Sequence, residues 1–571
     1  MQRMTGSRTW MLAVLCGLGC IMSALSTSSS STQPAEDRGR AVDRIFTERT
    51  DPDSPGAAVA VVQNGRVVFI RGYGLANLEY HVPVTPATAF DIGSITKQFT
   101  AFAVGVLVEQ GKLSLSDDVR KYIPELKARG GPIRIKHLLN HTSGLRDEVN
   151  LLTLEGYGVD DAITFEHTLR LITSQQELLF EPGERWEYCN SGYTLLAEII
   201  SRVTGKPYAA WMKENVFIPL GMTRTRFPDD AGTIIKDRAY SYTEGPLGLR
   251  TAVVSKMSLG CSNLFSTVED MAKWAVNFAD AKVGGRAVID RMAERGVLND
   301  GTVTDYAYGQ FVGVHRGLRT ISHDGGIGGF RSALFRFPDQ GLAVAVLANA
   351  DHLRAMRLAK DVAAQFIGDL MQDSAPTAAR SASDRAGDAE PVALKDCVGS
   401  FRLESTGKVL EVTLQDERLS LKNLATLDKS LPLSRVRGSE FTVDGVGLRL
   451  SFGRNGEGAV NRLILHVGDP PQVATRVSTM KLGVDQLAQF VGTYMSSELL
   501  AVYSLEIRNG VLVASHSRLP AVTLTPTGPN EFSSDKMWLR PVRFELDEQG
   551  KPRGFRADAA YAKNVYFERL K

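Results

Sequence analysis

Residues 91–100, "DIGSITKQFT", join a serine to a lysine at the start of a predicted helix. Ile95 and Phe99 recur at the spacing of an amphipathic helix. Ser94 and Lys97 are three residues apart, so both side chains lie on one helix face within hydrogen-bonding reach. A serine needs a base to become a nucleophile, and a partly desolvated lysine can be that base. The segment therefore predicts a nucleophilic serine at the start of a helix.

Ser-x-x-Lys alone does not identify a site, because the same spacing occurs three more times beyond residue 400. Two later tripeptides distinguish the copy at Ser94. Tyr188 and Asn190 frame "YCN", and His323 and Gly325 frame "HDG" before a predicted hairpin of buried strands. The three motifs in this order predict one site assembled from distant segments.

The order of these motifs resembles that of the penicillin-recognising serine hydrolases, which include class C β-lactamases, D,D-carboxypeptidases, D-aminopeptidases and related esterases. The resemblance extends to "LLNHTSGL" from Leu138, in which His141 is expected to brace a loop, and to "LFSTVEDMAKWA" from Leu264. It implies an α+β catalytic domain over residues 40–370, with a five-stranded antiparallel sheet flanked by helices beside a helical lobe. The site is expected between the two parts.

The resemblance also implies a role for each motif residue. Ser94 is expected to attack a carbonyl and form an acyl-enzyme, while Lys97 takes its proton with the help of Tyr188. Which of the two is the general base stays open. Asn190 is expected to hold the lysine and the amide of the acyl group. The backbone N–H groups of Ser94 and Gly326 are expected to form the oxyanion hole.

The third motif departs from the usual family pattern. His323, a further predicted catalytic residue, and Asp324 stand where lysine and a hydroxyl residue are usual, and Asp324 and Gly325 are predicted to contact substrate. A neutral histidine removes the permanent positive charge, and an aspartate repels a carboxylate. The substrate expected is a small peptide, amide or ester with a free amino group or no charge there, such as a D-amino amide. The alternative that Asp324 faces away from substrate is equally open.

The function predicted is therefore that of an exported serine hydrolase similar to D-aminopeptidases. A β-lactamase, a D,D-carboxypeptidase or an esterase of the same family is the alternative. A non-catalytic sensor with the same fold is the alternative from another class. An α/β-hydrolase is excluded, because the sequence contains no GxSxG motif.

Beyond the catalytic domain the sequence predicts a linker, residues 371–391, and two small antiparallel all-β barrel domains, residues 392–483 and 484–571. The two units repeat: "LKDCVGSF" begins at Leu394 and "LAQFVGTY" at Leu487. Residues 515–532 are expected either to form a long loop that reaches the catalytic cleft or to be an ordinary barrel hairpin.

The first 26 residues are predicted to be a cleaved signal peptide, because two arginines precede an apolar run that is too short to span a membrane. Export to the periplasm or the extracellular space follows. Lipid attachment at Cys20 is the alternative, and a membrane is an expected partner only in that case.

Charge and composition limit the remaining functions. Lysines and arginines number 66 and acidic residues 64, so a nucleic-acid groove, which needs clustered excess cations, is not expected. The nine histidines form no zinc motif, and no nucleotide-binding loop is present, so neither a metal nor a cofactor is expected. Cys189, Cys261 and Cys397 are an odd number without a disulfide pattern. The oligomeric state is not addressed by the sequence.

Overall fold

The computed structural model describes residues 35–158, 160–245, 247–372, 392–404, 408–422, 430–444, 448–466, 471–477, 480–534, 536, 538–559 and 561–571. The predicted signal peptide lies outside these residues, as does the predicted linker apart from residues 371 and 372. Within the described ranges, none of the helices has the length and apolar character needed to cross a membrane.

A six-stranded antiparallel sheet forms the centre of the first domain, with the order β2-β1-β12-β11-β10-β9. Its strands are β1 Ala57–Gln63, β2 Arg66–Tyr73, β9 Phe311–His315, β10 Leu318–Ile327, β11 Phe330–Phe337 and β12 Leu342–Ala348. The sheet has six strands, so the expectation of five is wrong. A two-residue turn at Arg316 and Gly317, both with positive φ, folds β9 back onto β10.

Asn64 and Gly65 form the turn that joins β1 to β2, and both residues have positive φ. Strand β1 is apolar on both faces because both are covered. Val59 and Val61 face a layer that contains helices α1, Ala35–Thr47, and α11, Ala355–Ile367. Ala60 faces the main core on the other side.

Helices on that other side form the lobe beside the sheet. They are α2 Thr96–Glu109, α3 Ile135–Leu139, α4 Glu148–Leu154, α5 Phe165–Thr173, α6 Asn190–Thr204, α7 Tyr208–Met212, α8 Ile218–Leu220, α9 Val268–Asp280 and α10 Gly285–Arg291. Short strands pair as β3 Leu75–Asn77 with β4 Val82–Pro83, β5 Phe90–Asp91 with β8 Phe265–Ser266, and β6 Tyr242–Gly245 with β7 Gly248–Thr251. The predicted α+β fold of this domain is confirmed.

Two closed eight-stranded antiparallel barrels follow, which confirms the all-β prediction. Barrel 1 consists of β13 Gly399–Leu403, β14 Val409–Gln415, β15 Arg418–Lys422, β16 Leu431–Arg437, β17 Glu440–Val443, β18 Leu448–Arg454, β19 Val460–Leu465 and β20 Gln472–Val477. Barrel 2 consists of β21 Gly492–Ser496, β22 Ala501–Arg508, β23 Val511–His516, β24 Val522–Gly528, β25 Glu531–Ser533, β26 Val542–Leu546, β27 Pro552–Ala559 and β28 Ala562–Arg569. Short helices precede them, α12 Leu394–Cys397 and α13 Val484–Ala488.

The repeated Val-Gly of the two units marks the same closing contact in each barrel. Gly399 begins β13 and lies against Arg476 of the last strand, and Gly492 begins β21 and lies against Arg569. A Cβ on Gly399 would lie 2.2 Å from the Arg476 guanidinium, and one on Gly492 would lie 3.0 Å from Nε of Arg569. Each arginine donates to the carbonyl of the preceding valine. A side chain at either glycine would displace the arginine from this contact.

Residues 515–532 are mostly strand, so the prediction of a long loop is wrong and the barrel hairpin is correct. Strand β23 ends at His516, and β24 and β25 follow within the same segment. The His516 ring lies against Gly156, because a Cβ on that glycine would be 2.2 Å from Cε1. The turn therefore contacts the segment after α4.

Candidate active site

Ser94 lies in a 3₁₀ turn, Gly93–Ile95, that leads directly into α2. Gly93 has a φ of +51°, and a Cβ there would lie 2.8 Å from the backbone nitrogen of Gly326. Only glycine fits this close approach without strain. The turn therefore places Ser94 against strand β10, the strand that carries the third motif.

Lys97 lies one turn further on and is completely buried, with 0% of its surface exposed. Its Nζ is 3.1 Å from Ser94 Oγ, 2.7 Å from Asn190 Oδ1 and 3.1 Å from the carbonyl oxygen of Cys261. Burial lowers the pKa of Lys97, and the negative field of Glu148 opposes that shift. The structure thus brings the predicted lysine and serine into direct contact.

The contacts of Nζ suit a neutral amine as well as an ammonium. The amide oxygen of Asn190 and the carbonyl of Cys261 can only accept hydrogen bonds, so they take two N–H groups. The third direction points to Ser94 Oγ. When Lys97 is neutral, the lone pair occupies that direction and faces the serine proton.

Asn190 begins α6 and is oriented by Asp147, the N-cap of α4. Oδ2 of Asp147 accepts from the backbone N–H of Asn190 at 2.7 Å and from its Nδ2 at 2.9 Å. Because Nδ2 is used in this way, Oδ1 is turned to Lys97. Asp147 is buried, and burial raises its pKa.

Tyr188 completes the group around Ser94. Its ring centre is 4.9 Å from Lys97 Nζ and 4.2 Å from the ring centre of His141. Burial raises the pKa of Tyr188 well above its usual range, although a hydrogen bond with Ser94 opposes the shift. Tyr188 therefore carries its phenolic proton near neutral pH. His141 accepts the backbone N–H of Cys189 at Nδ1, so it braces the residue next to Tyr188.

His323 lies behind the site and only 2% of its surface is exposed. Its Nδ1 is 2.6 Å from the carbonyl oxygen of Asp324, so Nδ1 carries the proton and donates it. Nε2 then accepts from the Tyr306 hydroxyl at 3.0 Å. Burial lowers the pKa of His323 to about 3, so the ring is neutral at physiological pH. Both ring nitrogens are occupied.

The side chain of Asp324 is exposed, in contrast to that of His323. Its negative charge contributes to the raised pKa of Tyr188 and of Tyr306. The carboxylate therefore lies within electrostatic range of the site on the face that is open to solvent.

The backbone of β10 beyond His323 lies beside Ser94. Strand β9 pairs with β10 only as far as Ser322 in the described strands. A Cβ on Gly325 would lie 3.0 Å from the Ser94 nitrogen, and the Gly326 nitrogen is close to Gly93. The two predicted oxyanion-hole amides thus come from adjoining segments, and the glycines make the approach possible.

The sequence motifs did not identify four residues that lie around the site, Asp147, Glu148, Lys256 and Tyr306. Asp147 holds Asn190, and Tyr306 holds His323. Buried Glu148 accepts from Thr194 at 3.0 Å and lies 3.4 Å from Lys256. Asp147 and Glu148 directly follow the family phrase "HTSGL", but that position in the sequence does not show which groups their carboxylates hold.

A cavity of about 430 Å³ adjoins the segment that leads to Ser94. Asp91 and Asn263 line it together with Lys256 and Phe330. Burial raises the pKa of Asp91 to about 7, and its Oδ1 accepts the backbone N–H of Gly93 at 2.9 Å. Asp91 therefore supports the turn that carries the serine.

The chain is similar to known proteins over the residues that carry this site. Residues 42–367 match the family profile described as Beta-lactamase. The chain is 29% identical over 307 residues to a D-aminopeptidase of Gluconobacter oxydans, a match that covers 53% of this chain and 57% of that protein. It is 26% identical over 434 residues to penicillin-binding protein 4* of Bacillus subtilis, which covers 73% of this chain and 94% of that protein.

Among solved structures, the octameric penicillin-binding protein homologue from Pyrococcus abyssi is similar to this chain with a TM-score of 0.53 and 25% identity. The match covers 77% of this chain and 100% of that structure.

Proposed function

The chain belongs to the beta-lactamase family, and we propose that it is a serine hydrolase that forms an acyl-enzyme on Ser94. One observation carries the proposal: the buried Nζ of Lys97 is 3.1 Å from Ser94 Oγ and has only acceptors as its other hydrogen-bond partners. A lysine with a lowered pKa whose Nζ contacts a serine hydroxyl can take the proton of that hydroxyl once it is neutral, which activates the serine as a nucleophile.

In the first step, neutral Lys97 takes the Oγ proton of Ser94 while Oγ bonds to the substrate carbonyl carbon. The negative oxygen that results is stabilised by the N–H groups of Ser94 and Gly326, each typically worth about 3 kcal/mol. The C–N or C–O bond then breaks, and the leaving group takes a proton that passes through Tyr188. Water attacks the acyl-enzyme by the reverse path and releases the acid.

The direction of the pKa shifts supports Lys97 as the base. Burial lowers the pKa of Lys97 and raises that of Tyr188, so the neutral amine and the protonated phenol are both favoured. Tyr188 then acts as the proton carrier to the leaving group. His323 acts by holding Tyr306 and the backbone of β10 instead of contacting substrate.

The substrate class follows from charge at the third motif. His323 is neutral, and the exposed carboxylate of Asp324 lies within electrostatic range of Tyr188. The two groups favour an ammonium or a neutral group near the scissile carbonyl and disfavour a carboxylate. A small D-amino amide, peptide or ester fits, and the relative named D-aminopeptidase supports this class. Poor β-lactam hydrolysis is expected.

A fluorophosphonate probe tests the hydrolase proposal. We expect rapid labelling of the wild type, none of Ser94→Ala, and at least ~100-fold slower labelling of Lys97→Ala, since a general base is lost. An unlabelled wild type, or equal labelling of Ser94→Ala, would support a non-catalytic sensor.

A substrate panel tests the charge argument. D-amino amides, D-Ala-D-Ala peptides, short neutral esters and a chromogenic cephalosporin are compared in the wild type and in Asp324→Thr. We expect the variant to lose roughly tenfold in amino-amide turnover relative to the neutral ester, which corresponds to about 1.4 kcal/mol. Efficient cephalosporin hydrolysis by the wild type would contradict the argument.

The proposed function includes export, supported by the leader sequence of residues 1–26. Mass spectrometry of the mature chain from the periplasm or medium should find the leader removed. A full-length protein retained in the cytoplasm would contradict export, and a lipid on Cys20 would identify the alternative.

A further inference from the structure

The guanidinium of Arg146 lies in the contact between the catalytic domain and barrel 2, and only 1% of the side chain is exposed. Nε donates to the carbonyl of Lys563 at 2.7 Å, and one terminal nitrogen donates to the carbonyl of Asn564 at 3.2 Å. The other donates to the carbonyl of Glu177 at 2.8 Å and lies 3.4 Å from the buried carboxylate of Glu498. Three of these four partners belong to barrel 2.

The barrel side of this contact is tied independently to the catalytic domain. Glu498 Oε1 accepts the backbone N–H of Gln176 at 2.5 Å, and its carbonyl accepts the Ser174 hydroxyl at 2.8 Å. These two hydrogen bonds therefore hold the turn around Glu498 against the catalytic domain in addition to its contact with Arg146. A displacement of barrel 2 by about 1 Å would break hydrogen bonds of the Arg146 guanidinium, because its N–H donors have fixed directions.

The backbone of Arg146 is held as firmly as its side chain. Its N–H donates to Gln175 Oε1 at 2.8 Å, and its carbonyl accepts from Gln175 Nε2 at 3.1 Å and from the Ser191 hydroxyl at 2.7 Å. Ser191 directly follows Asn190. The residue thus connects barrel 2 with the first turn of α6.

The next residue along the chain continues this connection into the candidate active site. Asp147 accepts two hydrogen bonds from Asn190, and Asn190 accepts one from Lys97. Lys97 in turn contacts Ser94. The path from the carbonyls of barrel 2 to the serine runs through adjacent residues and hydrogen bonds alone.

We propose that Arg146 is a positioning residue through which barrel 2 sets the orientation of Asp147, Asn190 and Lys97. The proposal rests on the proposed function, because it assigns barrel 2 a part in activating Ser94. The guanidinium is required because it satisfies several fixed acceptors at once.

Two variants and one matched control test this positioning. Arg146→Lys keeps the positive charge but loses the planar set of guanidinium N–H donors. Glu498→Gln removes the negative charge on the barrel side with little change in shape. Arg518→Ala is the control. It breaks an ion pair with Asp161 across the same interface, at a distance from residues 146 and 147 in the chain.

The first measurement is the rate of Ser94 labelling by a fluorophosphonate, at a temperature where melting curves show each variant to be folded. We expect Arg146→Lys to react about tenfold more slowly and Glu498→Gln to react more slowly in the same direction, since small misplacements of a base are costly. Arg518→Ala should stay within about twofold of the wild type.

The second measurement is independent of catalysis. Hydrogen exchange of the peptide around Asn190 reports the N–H that donates to Asp147. It should be faster in Arg146→Lys and Glu498→Gln and unchanged in Arg518→Ala.

Unchanged exchange and labelling in the two folded variants would overturn the proposal, as would an equal loss in Arg518→Ala. If Arg146→Lys does not fold, Glu498→Gln decides. If the wild type itself is not labelled, the hydrolase proposal fails, and exchange at Asn190 still decides the positioning.

Discussion

The two C-terminal barrels have the same strand order and the same glycine-arginine closure, but their apolar cores have different members. The core cluster of barrel 1 consists of residues between Val392 and Ala474. The core cluster of barrel 2 continues into the catalytic domain, where it includes Leu151, Leu152 and Leu154 of α4.

The polar contacts follow the same division. In barrel 2 the Tyr503 hydroxyl donates to the carbonyl of Leu154, and Arg518 forms an ion pair with Asp161. Barrel 1 contacts barrel 2 through Arg402, which pairs with Glu531. Barrel 2 therefore shares a core with the first domain, whereas barrel 1 has an apolar core of its own. The comparison predicts unequal effects of matched changes in the two barrels.

The largest effect is expected from ending the chain after residue 483. The truncation exposes buried leucines of α4 together with Ile163 and Leu171. At about 1.5–3 kcal/mol for each large apolar side chain, the loss is on the order of 10 kcal/mol, comparable to the stability of a whole domain. Expression and melting curves should show an insoluble or unfolded catalytic domain. A soluble, labelled product would show that barrel 2 is dispensable.

Matched cavities in the two cores should separate the barrels. Leu152→Ala and Leu463→Ala each remove a buried leucine, at a cost of about 2–5 kcal/mol. Calorimetry combined with Ser94 labelling after heating should show early loss of labelling for Leu152→Ala. Leu463→Ala should melt barrel 1 early and leave labelling unaffected. Equal losses would mean that the chain unfolds as one unit.

The pH profile of Ser94 labelling should be set by the catalytic domain and barrel 2, and a change in barrel 1 should not alter it. Lys97 acts as a base only when neutral, so the rate should rise about tenfold per pH unit and level off above its pKa. Because burial lowers that pKa, the plateau should begin below 10.5. Rate profiles of the wild type and Leu463→Ala should coincide. A plateau that begins above 10.5 would contradict Lys97 as a desolvated base.

The smallest effect is expected from two tyrosine hydroxyls of barrel 2. The Tyr503 hydroxyl donates across the interface to Leu154, and the Tyr494 hydroxyl donates within the barrel to Phe490. Each Tyr→Phe change should cost about 1 kcal/mol. Because barrel 2 and the catalytic domain share a core, both variants should lower the same calorimetric transition. Two separate transitions would break the comparison.

The motifs led to most of the candidate site because catalytic side chains are specified by residue type and order. Ser94, Lys97, Tyr188 and Asn190 do lie together as the motifs predicted. The orientation of His323 was not predictable, since a single sequence does not show that Tyr306 occupies its Nε2. The role of Asp147 in orienting Asn190 was not predictable for a similar reason. An N-cap aspartate has the same local sequence pattern whether or not its carboxylate also binds a second residue.

The sequence by itself determined the helices and strands and some of the turns that join them. The turn at Asn64-Gly65 has a local backbone requirement, positive φ at both residues, so its effect can be derived without the rest of the chain. Only the tertiary structure decided which barrel joins the catalytic domain and that Arg146 is the residue it holds. Both depend on contacts between residues hundreds of positions apart. Apolar burial has no direction, so alternating strands in two similar barrels do not show which surface finds a partner.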